Sequence, residues 1–167
     1  MSRGFVKESD QEELPIIPPR APLPSGTTNY VTPTGLAALQ AERDNLREEI
    51  AGVPTDDEDE HRRTTTVLEG KLALLQQRLT SARVIDPANS DLPEKEIRFG
   101  STVTMEFLAT GKNQTFQIVG VDEANVKEGK IAFTAPLARA LTGVWVGETA
   151  RFTLGGKERR VKILAVN

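Results

Sequence analysis

The chain has no cysteine, one histidine, one tryptophan and one tyrosine, and aromatic residues make up only 5% of its 167 positions. Without cysteine, nothing in it demands an oxidising compartment. The shortage of aromatic rings argues against an aromatic-lined ligand pocket. Long apolar runs are also missing: 38% apolar and 27% charged residues exclude a membrane span. The opening Met1-Ser2-Arg3-Gly4-Phe5 leads into charged residues and not into the apolar stretch of a signal peptide, so a cytoplasmic protein is expected. A formal net charge of -3 argues against a general nucleic-acid binder, which needs a broad basic face to displace counterions from phosphates.

What the chain does have is a leucine pattern on either side of an acidic cluster. Leu36, Leu39, Leu46 and Ile50 precede Asp56-Asp57-Glu58-Asp59-Glu60, and Leu68, Leu72, Leu75, Leu79 and Ala82 follow it. The second set steps by 4, 3, 4, 3, a heptad, and the first fits the same repeat once polar Arg43 is allowed to interrupt it. Pairing Leu36 with Ala82, Leu39 with Leu79, Leu46 with Leu72 and Ile50 with Leu68 gives one shared midpoint, near Asp59, as an antiparallel register requires. Gly52 and Pro54 break the helix close to that point. The pattern predicts an antiparallel coiled-coil hairpin over residues 33–86 with carboxylates at its tip. Thr32 caps the first helix, with Pro33 in its first turn. Thr55 and Glu58 have the spacing of a capping box for the second helix, which is expected to run to about Val84. Gly70 inside it costs roughly 1 kcal/mol relative to alanine and suggests close packing or a slight bend.

Residues 1–32 carry Pro15, Pro18, Pro19, Pro22 and Pro24 without helical or strand period, and read as an extended, disordered arm with Phe5, Ile16, Ile17 and Leu23 as apolar anchors. Residues 87–96 read as a linker. After it, β-rich runs at Thr102 to Leu108, Thr115 to Val121, Lys130 to Thr134, Ala150 to Leu154 and Arg160 to Val166 predict a five-stranded antiparallel body over residues 97–167. One short helix starts at Pro136 and closes at Gly143. Ten Lys/Arg stand against six Asp/Glu from Ile97 onward, and seven against eleven over residues 33–86. A negative rod is thus joined to a mildly positive α+β body.

Within the body, Ile118-Val119-Gly120-Val121-Asp122-Glu123, then Ala135-Pro136-Leu137-Ala138-Arg139-Ala140-Leu141, then Val146-Gly147 follow Ala82-Arg83-Val84-Ile85-Asp86 and Phe99-Gly100. This order of motifs resembles the Gre transcript-cleavage factors of bacterial RNA polymerase. The resemblance implies an FKBP-like C-terminal domain docked at the rim of the polymerase secondary channel, through Thr134, Ala135, Pro136 and Leu137, and a hairpin inserted toward the active centre. It implies that Asp57 and Glu60 are the tip carboxylates that assist the polymerase and meet the backtracked RNA 3′ end indirectly. They would hold Mg²⁺ only when docked and shared with the polymerase, with no cofactor bound by a monomeric chain on its own. His61 and Thr64 stand where the family has Asn and Tyr. The segment from Gly35 to Asp86 is about fifteen residues shorter than the family's usual arm, roughly 11 Å of reach at 1.5 Å per residue. Thr134-Ala135-Pro136 replaces a frequent Asp-Ser-Pro.

Two metal ions acting on a phosphodiester need hard oxygen ligands, and carboxylates three residues apart on one helical turn can offer them. Such a chain activates a catalyst without being an enzyme. Two other readings stay open: an inhibitor that occludes the channel without stimulating cleavage, and a peptidyl-prolyl isomerase or binding module suggested by the FKBP-like fold alone. Plainer roles exist for each residue. First-turn acids complement the helix dipole, His61 is solvated, Arg62 and Arg63 pair with the acids, Trp145 is core beneath the short helix, and Arg43 snorkels beside Leu75.

Overall fold

A computed structural model describes residues 14–89, 91, 93 and 95–167. The proline-rich arm enters β1 (Asn29–Val31), followed by helices α1 (Pro33–Ala51) and α2 (Glu58–Ser81), and α2 runs directly into β2 (Ala82–Val84). The body contains β3 (Thr102–Phe107), β4 (Lys112–Val119), β5 (Lys130–Ala132), α3 (Pro136–Leu141), β6 (Thr149–Leu154) and β7 (Lys157–Val166).

Local chemistry starts and stops the helices largely as expected. Thr32 caps α1 by accepting from the Gly35 N–H, and Pro33 occupies the first turn. The cap of α2 is Asp57, not Thr55: its carboxylate accepts the N–H groups of Asp59 and Glu60. Asp57 takes the cap because it directly precedes the first helical residue, where a short side-chain oxygen reaches the first N–H groups, whereas Thr55 stands two residues earlier. The turn therefore spans residues 52–57, and Asp59 lies inside α2. The buried seam residues are Leu39 and Leu46 of α1 and Leu68 and Leu75 of α2, whose common midpoint is residue 57 rather than 59. Leu36, Ile50, Val53, Leu72, Leu79 and Ala82 pack around them. Ala82 belongs to β2 and not to the helix, because the chain extends there to pair with β1. Arg43 donates to its neighbour Asp44.

The body has its own core, in which Ile97, Val103, Met105, Ile118, Leu141, Val161 and Ile163 are completely buried. Its strand order is β5-β4-β3-β7-β6. The expectation of an antiparallel sheet needs correction at one edge. β5 pairs with β4 in parallel, from Gln117 with Lys130 to Val119 with Ala132. The connection reverses twice within residues 120–129, through a 3₁₀ turn at Val126–Glu128, so the strand returns in the same direction. Alternation of side chains encodes which face is buried and not which way a neighbour runs. α3 lays Ala138 and Leu141 against the sheet beside β6.

The arm corrects the expectation of disorder over residues 1–32, in the part from residue 14 onward; the earlier positions, Phe5 among them, lie outside the described residues. β1 forms a parallel two-stranded ladder with β2, and the Ile85 N–H donates to the Val31 carbonyl to extend it. Asn29 is buried in this seam and donates to the Arg78 carbonyl and to Ser81 Oγ. The backbone of a buried strand must pair, and β2 supplies the partners, while the last turn of α2 satisfies the Asn29 side chain.

Candidate functional site

At the far turn of the hairpin, Val53, Pro54, Asp56, Asp57, Glu60, His61 and Thr64 surround a shallow cleft of about 150 Å³. Asp57 and Glu60 are both exposed, one at the cap of α2 and the other in its first turn. The structure thus brings the two sequence-predicted carboxylates together, but it also makes Asp57 part of the helix start, where its Oδ1 accepts the Asp59 N–H at 3.0 Å and the Glu60 N–H at 3.2 Å. Both bonds end on Oδ1, so the cap leaves Oδ2 unused. His61 is not simply solvated. Its Nδ1 lies 3.0 Å from the Pro54 carbonyl. A carbonyl only accepts, so Nδ1 must carry the proton, and in the neutral ring Nε2 keeps the free lone pair. The contact pins the turn to α2. Arg62 donates to Asp59 at 3.0 Å, an ion pair within the acidic cluster. Among the described residues, no three His, Cys, Asp or Glu side chains gather where they could hold a metal ion.

The second predicted segment sits at the start of α3. Pro136 is exposed, Thr134 is half-buried, and Ala135 and Leu137 pack against the core of the body. Only part of the quartet is therefore free to meet a partner. Trp145, expected in the core, is 40% exposed, and Val146 beside it 37%. The Trp145 N–H donates to Glu148 Oε2, and Glu96 bridges to Trp145 across the end of the linker, so the indole stands on a pinned turn.

A third cluster, which the sequence did not single out, lies where hairpin, body and arm meet. Arg20 of the arm donates to Glu42 on α1 at 2.7 and 3.1 Å and to Asp122 of the body at 3.0 Å. The Glu42 hydrogen bond, opposed by burial and reinforced by Asp122, raises the Arg20 pKa above its ordinary value. Arg78 of α2 lies 3.8 Å from Asp122 and donates to the Ala21 carbonyl of the arm. Asp122 is nearly buried, its side chain 6% exposed, so these two cations are what makes its charge tolerable there. Thr32 donates to Glu123 at 2.6 Å, and the rings of Tyr30, Phe99 and Phe133 touch with centroids 5.6 to 5.8 Å apart. Gly120 admits the strand: a Cβ there would lie 2.6 Å from the Tyr30 carbonyl oxygen. The signal that could have found Asp122 and Glu123 was their adjacency just past the apolar end of β4, where two neighbouring acids need cations to be held against the body.

Residues 92–167 match the family described as "Transcription elongation factor, GreA/GreB, C-term". That match spans the whole C-terminal body. The chain is 42% identical over 99 residues to the "Transcription elongation factor GreA" of Ralstonia nicotianae, an alignment covering 59% of this chain and 62% of that protein. The factor of the same name from Acidiphilium cryptum is 39% identical over 105 residues, 63% of this chain and 66% of that one. The alignments thus span just under two thirds of these curated relatives. Among solved structures, the GreA factor homolog 1 (Gfh1) protein of Thermus thermophilus aligns at a TM-score of 0.40 and 20% identity, covering 84% of this chain and 99% of that one. The GreA/GreB factor of Nitrosomonas europaea aligns at 0.41 and 21%, covering 82% and 97%. No helix among the described residues is long and apolar enough to cross a membrane.

Proposed function

We propose that the protein is a transcription elongation factor that docks its Gre body on bacterial RNA polymerase and presents the hairpin tip at the active centre through the secondary channel. There it stimulates cleavage of backtracked RNA by the polymerase itself. The observation that carries this reading is the joining of a GreA/GreB body to a two-helix arm whose far turn exposes Asp57 and Glu60. The donor set fits Mg²⁺, which takes hard oxygen ligands and keeps several waters, so two carboxylates make a partial site that a partner completes. Bound there, the ion would supply charge stabilisation and an activated water for phosphodiester hydrolysis. Asp57 offers Oδ2 while Oδ1 holds the turn, and Glu60, three residues on, offers a carboxylate from the same face. His61, bonded to Pro54, keeps both in place by fixing the turn against α2.

A second reading, an occluding inhibitor, is favoured by one observation: Asp57 already commits an oxygen to its own helix. The pair Asp57→Asn and Glu60→Gln separates the two. On stalled elongation complexes of the cognate polymerase, the variants are expected to bind as the wild type does and to lose most cleavage. A wild type that binds backtracked complexes and yields no cleavage over a range of Mg²⁺ concentrations would sink the activating role and leave the inhibitor.

A further inference from the structure

The arm touches both the hairpin and the body. Ile17 lies against α2 at Gly70, where an added Cβ would stand 2.2 Å from its Cδ1. Arg78 binds the Ala21 carbonyl, Asn29 binds the end of α2, and Tyr30 reaches the body rings Phe99 and Phe133. Arg20 spans the hairpin and the body by itself, with partners 22 residues ahead of it on α1 and 102 residues ahead in the body. Its side chain is 17% exposed. The hairpin and the body otherwise have separate cores. Two such units joined by a short linker move relative to one another by default unless something ties them.

We propose that residues 17–32 are an intramolecular strap, with Arg20 as its positioning residue, that fixes the angle between hairpin and body and thereby sets where the tip carboxylates arrive when the body is docked. The second half rests on the elongation-factor reading; the first half does not. The physical basis is the guanidinium fork. Its planar donors satisfy Glu42 bidentately and Asp122 at the same time, which a single ammonium cannot do in a fixed geometry. Restraint of the hairpin base is amplified at the tip, because α2 is a rod of 24 residues, about 36 Å long.

The chain has no cysteine, so Arg63→Cys near the tip and Lys157→Cys on the body are the sole labelling sites for a spin-label distance measurement on the full-length protein. The doubly labelled protein is expected to show one narrow distance distribution. Arg20→Ala should broaden it by roughly twofold, as freed domains sample more orientations, and Arg20→Lys should fall between the two, with helicity retained in both. An Arg20→Ala distribution identical to the parent's would overturn the strap. In the cleavage assay, Arg20→Ala should still compete with wild type for the polymerase yet stimulate cleavage at least ~10-fold less, since small misplacements of reacting groups are costly. Undiminished cleavage would overturn the positioning role. If the wild type stimulates no cleavage at all, the activating reading fails, and the distance distributions alone decide the strap.

Discussion

Asp57 shows how one side chain answers to two demands. Its Oδ1 closes the first turn of α2, and its negative charge suits both a helix N-terminus and a cation. Asparagine caps a helix about as well as aspartate, whereas alanine costs roughly 1 kcal/mol. Asp57→Asn should therefore leave the melting temperature nearly unchanged and remove cleavage stimulation, while Asp57→Ala should lower both; calorimetry beside the cleavage assay checks this. If Asn lowered stability as much as Ala, the cap would depend on charge and the separation of roles would be lost. Gly70 is the counterpart on the arm side. Alanine there gains up to about 1 kcal/mol of helix propensity but evicts Ile17. The expected result is an equal or slightly higher helix content together with faster proteolysis of the arm. Unchanged cleavage of the arm would mean that Ile17 adds nothing to its docking.

At the scale of elements, the leucine seam was legible because a heptad repeats often enough to be read against noise. What the repeat did not show is how unevenly the seam is buried. Leu75 has no exposed surface, and Leu68, one heptad earlier, is also buried, while Leu72, at the other core position of the repeat, is only half-buried. Leu75→Ala should cost about 2 to 5 kcal/mol and Leu72→Ala clearly less, measured by denaturant unfolding. Equal losses would mean that the seam lacks the asymmetry described. The body strands were readable to within a few residues from alternation and turn residues. β5, three residues at a sheet edge, carries too little pattern to reveal its parallel pairing, and β1 is equally short. Trp145 misled for a related reason. Large aromatic residues are usually core, and only the pinned turn between α3 and β6 leaves this one at the surface.

For the whole molecule, two cores and one strap divide the work. The body leaves Pro136 exposed, the hairpin carries charge outward, and the arm ties them at Asp122. Pro136 is exposed and unneeded by either core, so Pro136→Asp should weaken polymerase binding without unfolding the body, and tip variants should not weaken it. Equal binding of Pro136→Asp and wild type in a competition assay would remove this segment from the docking surface. Arg20 adds a statement about pH. Its raised pKa means that its contribution is complete below the ordinary arginine range and is lost only as pH climbs through the raised value. Strap stability should therefore show no arginine step near neutral pH.

The chain's own residues determined the two-helix arm, its acidic tip and the neighbourhood of most strands, because each is written in local periods, caps and turn formers that act within a few residues. The tertiary structure alone decided that Asp57, and not Thr55, caps α2, that β5 runs parallel to β4, and that the proline-rich segment lies along hairpin and body. Those outcomes depend on single contacts, most of them between distant positions. An arginine whose carboxylate partners lie 22 and 102 residues away leaves no periodic trace in the sequence. Only when the hairpin base and the end of β4 are brought side by side do Glu42, Asp122 and Arg78 form the charged niche that gives Arg20 its place.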